Sequence, residues 1–177
     1  PEEWTFVRGG GASLDEPLYR YPALAFATQV LAVVALGIAR SAIDEVIAMA
    51  AGRASVTGAP KLGDRVYVQL EMAKIEAELR AARAFFYEAI DDVWTVLLAG
   101  DTPTPDQVSM LRLSSTHATR VGADVARRAQ MLTGMTGVYE ASPLAAQVRD
   151  VQVVTQHAFM GDITYQNAGA MLFGLAP

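Results

Sequence analysis

Apolar residues recur at spacings of three and four along most of this chain. After Asp64, the residues Val68, Met72, Ile75, Leu79, Ala82, Phe86, Ile90, Val93 and Leu97 form one unbroken stripe. That period matches one face of an α-helix and predicts a long bundle helix, with Asp64 as its N-cap and Gly100 just past its end. A preceding stretch, from about Pro22 to Ala51 with Gly52 as its stop, is apolar nearly all round, which predicts burial on more than one face. Thr104-Pro105-Asp106-Gln107 combines a capping threonine, a proline at the first helical position and a capping-box glutamine, so a third helix starts there and ends at Gly134. Its inner stripe is Val108, Leu111, Ser115, Ala118, Gly122, Val125, Ala129 and Leu132. The small residues in the middle predict the close approach of another helix.

A fourth helix is predicted from Ser142-Pro143 to about Ala158. Gly161-Asp162 then marks a break, with Asp162 capping a last helix to Phe173 and Gly174. Residues 1–20 lack the period: Trp4-Thr-Phe-Val7 reads as a short strand and Arg8-Gly-Gly-Gly11 as loop. The expected fold is all-α, an up-and-down four-helix bundle over residues 21–177 behind a short irregular lead-in.

Composition narrows the classes. Of 177 residues 52% are hydrophobic, an excess that argues for subunit contacts, as a dimer or tetramer. The net charge of −5 with no basic block argues against nucleic-acid binding. The chain has no cysteine, which excludes disulfides and thiolate metal sites and fits a cytoplasmic protein. The run Ala23–Ala39 contains Thr28 and Gln29, ends at Arg40 and falls short of the ~20 apolar residues of a membrane span, so a buried core helix is expected. Glu2 and Glu3 stand where a signal peptide would be basic.

Few residues suggest chemistry. Glycines 9–11 lack the spacing and the strand–helix context of a dinucleotide loop. Glu88, Asp91 and Asp92 have no Glu-x-x-His partner, so they read as a solvated acidic face, and no metal site is expected. Glu76 and Arg80 form an i,i+4 pair in the favourable order. His117 and His157 are the only histidines. Either serves as a hydrogen-bonded structural residue or as an acid–base group. For His157, the adjacent Thr155 and Gln156 offer hydrogen bonds to set its tautomer.

The segment Thr133-Gly-Met-Thr-Gly137-Val-Tyr139, followed by Ser142-Pro-Leu…Arg149-Asp150…Gln156-His157, resembles the C-terminal domain of the acyl-CoA dehydrogenase superfamily. It is most similar to the two-component flavin-dependent monooxygenase branch that includes 4-hydroxyphenylacetate hydroxylase. Val33–Ala42 resembles the domain's first helix, and Leu111-Arg-Leu-Ser-Ser-Thr-His117-Ala the branch's third. Arg53, Thr57-Gly58 and Gln69 resemble a stretch that touches the FAD pyrophosphate across a subunit boundary. Here Val56-Thr57 replaces its Phe, and Arg65-Val66 its Phe-Gln.

The resemblance implies reduced FMN or FAD, delivered by a separate reductase, and oxygenation of a small aromatic or apolar substrate. His157 would stand beside flavin and substrate as the catalytic residue. Thr133, Gly134, Met135, Thr136 and Gly137 would hold flavin phosphate, with Arg53 and Gln69 as further contacts; a Gly-permitted turn beside a helix N-terminus is suited to an anion. Gly134 also serves as an ordinary left-handed helix stop. Where dehydrogenases carry their glutamate base the chain has His157-Ala158, and alanine accepts no proton. Two alternatives remain at this point: an acyl-CoA dehydrogenase-like oxidoreductase with its base elsewhere, and a catalytically silent oligomerisation bundle. The opening Pro1-Glu-Glu-Trp resembles the exit from a β-domain, which implies that residues 1–20 end a missing domain and that the helical part alone binds flavin weakly.

Overall fold

A computed structural model describes residues 15–52 and 58–176. The strand expected at Trp4–Val7, the glycines at 9–11 and Arg53 lie outside these residues. Among the described residues the chain is helical, without strands: α1 Ala23–Ala50, α2 Val66–Leu98, α3 Pro105–Leu132, α4 Pro143–Thr155 and α5 Ile163–Leu172. Short 3-10 turns at Leu62–Asp64, Gly134–Gly137 and Ala158–Met160 join them.

The helices run alternately up and down. Arg20 donates to the carbonyls of Leu97 and Gly100, and Arg40 pairs with Glu76, so α1 and α2 are antiparallel. Arg128 of α3 pairs with Glu71 and Glu78 of α2. The fourth column is built from α4 and α5 end to end, with the break where Gly161-Asp162 announced it.

The periodic stripes become the core. Val68, Ile75, Leu79, Ala82, Phe86, Val93 and Leu97 are buried along α2, and Leu111, Ser115, Ala118, Gly122, Val125 and Ala129 along α3. The close approach expected of α3's small residues is to α1. A Cβ on Gly122 would sit 2.8 Å from the carbonyl oxygen of Ala35, and Ala32, Ala35, Ala39 and Ala42 are fully buried opposite. Burying alanines contributes little area per residue, so this seam gains through backbone proximity and dispersion instead.

Caps depart from expectation in three places. Thr104 and Gln107 form the full capping box. Asp64 instead ends a 3-10 turn, and α2 starts at Val66 with Arg65 in the N-cap position and no side-chain cap bond. Ser142 and Asp162 occupy cap positions, but neither side chain caps. The Ser142 amide is held by the local Tyr139 carbonyl, and the Asp162 carboxylate lies 3.7 Å from Arg120 of α3 rather than over its own helix start. α4 also stops at Thr155 rather than Ala158.

α1 is long and apolar enough to cross a membrane by length and composition. One of its faces is core: Ala25, Thr28, Ala32, Leu36, Ile43 and Val46 are buried against the bundle. The other leaves Leu24, Phe26, Val30, Val33, Val34 and Ile47 exposed.

Candidate functional site

Residues 155–162 carry the catalytic candidate. His157 follows the last turn of α4 and caps the 3-10 turn Ala158–Met160: its Nδ1 accepts the Phe159 amide at 3.3 Å, and its ring meets the Phe159 ring edge-on at 4.9 Å. A ring nitrogen that accepts must be bare, so the neutral imidazole carries its proton on Nε2. His157 is exposed. The expected tautomer-setting partners are not used, because Gln156 donates to Thr155 and Thr155 turns back to Gln152. The backbone of the turn sets the tautomer instead.

This turn is anchored from below. Met160 is fully buried, with its sulfur 3.6 Å from the Thr119 hydroxyl, and Arg120 donates to its carbonyl at 3.0 Å. His157 thus sits on a short, rigid step between two helices, with a free N–H pointing away from its own backbone partner. His117 is half-buried on α3, 6.3 Å from the Phe85 ring, and reads as a packing residue.

The candidate phosphate loop folds as a tight turn at the end of α3. Gly134 has φ +58 with open space where a Cβ would point, the left-handed stop expected of it. Gly137 is buried, and a Cβ there would collide with the Thr133 hydroxyl. Gln130 braces the turn by donating to the Gly137 carbonyl at 2.9 Å. The Thr133 hydroxyl donates to the Gln130 carbonyl and the Val138 amide to the Met135 carbonyl, so the turn closes on itself at the end of α3.

Arg65 stands across from this turn. Thr133, Gly134 and Thr136 line a cleft of about 370 Å³ together with Met49, Leu62 and Arg65. The Arg65 guanidinium is steadied by the Pro60 carbonyl at 3.0 Å and the Tyr67 hydroxyl at 3.2 Å. No carboxylate pairs with it among the described residues. Gln69 is one turn further along α2, where it donates to the Gly63 carbonyl and lines a separate groove of about 640 Å³ beside Arg40 and Glu76. The structure therefore brings Arg65, and not Gln69, to the loop. Sequence reasoning missed Arg65 and Gln130 as site residues, because Arg65 reads there only as a departure from the family stretch, Gln130 belongs to no spaced motif, and each acquires its role from a turn that packs against it.

The remaining charged groups are structural. Hydrogen bonds from Arg40 and Arg80 hold the Glu76 carboxyl below the usual glutamate range, against a smaller upward push from burial. Burial pushes Asp124 up, but hydrogen bonds from Arg127 and Arg128 outweigh it and leave the carboxyl lowered. Glu88, Asp91 and Asp92 are exposed, and no cluster able to hold a metal ion occurs among the described residues.

Comparison with known proteins places this geometry. Residues 29–162 match the family model described as acyl-CoA dehydrogenase, C-terminal domain. An indole-3-acetate monooxygenase from Pseudomonas putida is 66% identical over 176 residues, 99% of this chain and 45% of that protein. A protein of the same name from Acinetobacter baumannii is 49% identical over the same shares. The chain spans less than half the length of these relatives. In structure, XiaF from Streptomyces sp. in complex with FADH2 and glycerol superposes with a TM-score of 0.87 at 20% identity, over 97% of this chain and 44% of that one, which establishes the shared fold.

Proposed function

This chain belongs to the acyl-CoA dehydrogenase C-terminal domain family, and from that premise we propose that it is the helical part of a flavin-dependent monooxygenase acting on indole-3-acetate. The observation that carries the reading is the 66% identity, across almost the whole chain, to a protein of that named activity. Reduced FMN or FAD, supplied by a separate reductase, would activate oxygen for insertion into the aromatic substrate. A cytoplasmic location fits such a partnership.

The residues present fit a flavin. The Thr133–Thr136 turn and the Arg65 guanidinium, which has no carboxylate partner among the described residues, meet at one cleft with no acid among its lining residues, an arrangement suited to phosphate oxygens. Gly137 and Gln130 keep that turn closed, so its shape is set before the ligand arrives. At the other end of α4, His157 presents Nε2–H as a hydrogen-bond donor. Such a group lowers the cost of negative charge developing on a substrate or oxygen atom within about 3 Å of it. The exposed apolar strip on α1, which borders a groove with Phe86, Ile90 and Trp94, supports burial against a second copy in a dimer or tetramer.

The test is oxygenation by the full-length protein. With a flavin reductase, NADH, free flavin and indole-3-acetate under ¹⁸O₂, one labelled oxygen is expected in the organic product. A product without label, or turnover of an acyl-CoA with an electron acceptor and none of indole-3-acetate, overturns the proposal.

A further inference from the structure

Arg112 differs from most of the other described arginines; Arg83, the other exception, lies over the Tyr87 ring. Arg20, Arg40, Arg65, Arg120 and Arg128 each donate to a named carbonyl, hydroxyl or carboxylate. Arg112 on α3 is half-buried, its Nε is fully buried without a hydrogen-bond partner, and no carboxylate reaches it among the described residues. The one comparable atom among the described residues is Gln147 Oε1, and that side chain is already tied to the Ser41 hydroxyl through its nitrogen. A buried donor on a permanent cation that lacks an acceptor is costly. The buried Nε offers no surface to a ligand, so an anion would meet the guanidinium through its remaining N–H groups, for which the described residues supply no carboxylate.

The surroundings indicate what kind. Arg112 lines a cavity of about 360 Å³ between the start of α3 and α5. Pro105, Val108 and Met171 give it apolar walls, and Thr164 and Asn167 on α5 add a neutral hydroxyl and amide. No acidic residue is part of the lining. A cavity of this size holds a small organic molecule rather than a single ion. Proline, valine and a methionine thioether suit the face or edge of an aromatic ring. The guanidinium, with its fixed fork of donors, suits a carboxylate.

We propose that this cavity binds a small aromatic carboxylic acid, with the carboxylate on Arg112 and the ring against Pro105, Val108 and Met171. This rests on the monooxygenase reading, and deepens it: the acid of that reading is indole-3-acetate, whose carboxylate and bicyclic ring match the two halves of the lining. The cavity is connected to His157 through continuous structure. α5 leaves directly from the turn that carries His157, and Arg112 lies two turns before Arg120, about 12 Å along the same helix, whose guanidinium grips that turn. Occupancy against Thr164 and Asn167 therefore bears on the element that positions His157.

Equilibrium binding to the full-length protein tests this. Indole-3-acetate, phenylacetate and benzoate are titrated beside the neutral indole-3-ethanol, on wild type, Arg112→Met and Arg112→Lys. The ratio of acid to alcohol affinity is read, because it does not depend on the fraction of folded protein. Arg112→Met is expected to weaken indole-3-acetate about tenfold or more, the scale of a lost charge-assisted hydrogen bond. It should leave indole-3-ethanol within about twofold, and Arg112→Lys should fall between. An unchanged ratio in Arg112→Met overturns the inference. So does an equal loss for acid and alcohol accompanied by a lower thermal midpoint, which would show Arg112 pairing with a protein carboxylate. Failure of wild type to bind any of the three acids overturns it as well. If the acids bind through Arg112 but indole-3-acetate is not oxygenated, the monooxygenase reading fails and the carboxylate site stands.

Discussion

The α1–α3 seam and the α4–α5 arm belong to one bundle and do opposite things. Along the seam, the α1 alanines are fully buried and the backbone of Ala35 lies so close to Gly122 that a Cβ there would sit 2.8 Å from its carbonyl oxygen. Along the arm the helix breaks after Thr155, a 3-10 turn intervenes, and His157 stands exposed above a buried Met160. The seam is over-determined by packing, so its residues answer to stability. The helices of the arm are packed too, but the turn between them is pinned by directed bonds from Arg120, Thr119 and the Phe159 amide, so a side chain there can face a ligand. A bundle of this kind keeps its chemistry where its helices stop.

Substitutions at the two regions should separate cleanly. In the full-length enzyme His157→Ala is expected to lower oxygenation by about 10²-fold or more, the scale for losing one positioned acid–base or oxyanion group. Its thermal midpoint should stay within a few degrees and hydrogen peroxide release per NADH should rise. A variant that unfolds while keeping its activity per folded molecule would move His157 into the structural class. Gly122→Ala should show the reverse. A methyl 2.8 Å from the Ala35 carbonyl forces two backbones apart, at about 1–3 kcal/mol, read as a lower denaturation midpoint with turnover per folded molecule preserved.

Arg65→Met should fall between these extremes. With the cation removed, affinity for FMN or FAD is expected to drop about tenfold while riboflavin, which lacks the phosphate, binds as before. An equal loss for all three would place Arg65 in the fold rather than at the phosphate. The isolated helical chain should bind each of them weakly, measured by flavin fluorescence.

The smallest effect belongs to Glu76. Its carboxyl is held down by Arg40 and Arg80, so its contribution is present above the unfolded value of about 4.3 and disappears as pH falls through the lower folded value. Glu76→Gln should cost only tenths of a kcal/mol at neutral pH and flatten the acid limb of the stability profile below about pH 4.3. A variant with an unaltered acid limb would assign that limb to other carboxylates, such as Asp124.

The residues themselves determined the elements. A stripe at helical spacing leaves an amphipathic segment one way to bury its face, so the α2 and α3 stripes were legible as written, as was the Thr104–Gln107 box, whose partners lie within one turn of each other. Gly134 and Gly100 were legible for a similar reason: positive φ is cheap for glycine alone. His157 and the Thr133–Gly137 loop could be singled out because resemblance marked them. What tertiary structure decided was every role that depends on a neighbour distant in sequence. Arg65 reached the loop, Gln69 turned to another groove, Arg112 Nε was left without an acceptor among the described residues, and the Asp162 carboxylate came to lie near Arg120 instead of capping. Periodicity is a property of one helix and can be read along it, whereas a charge acquires its meaning from what packs opposite, and that is fixed only when the helices meet.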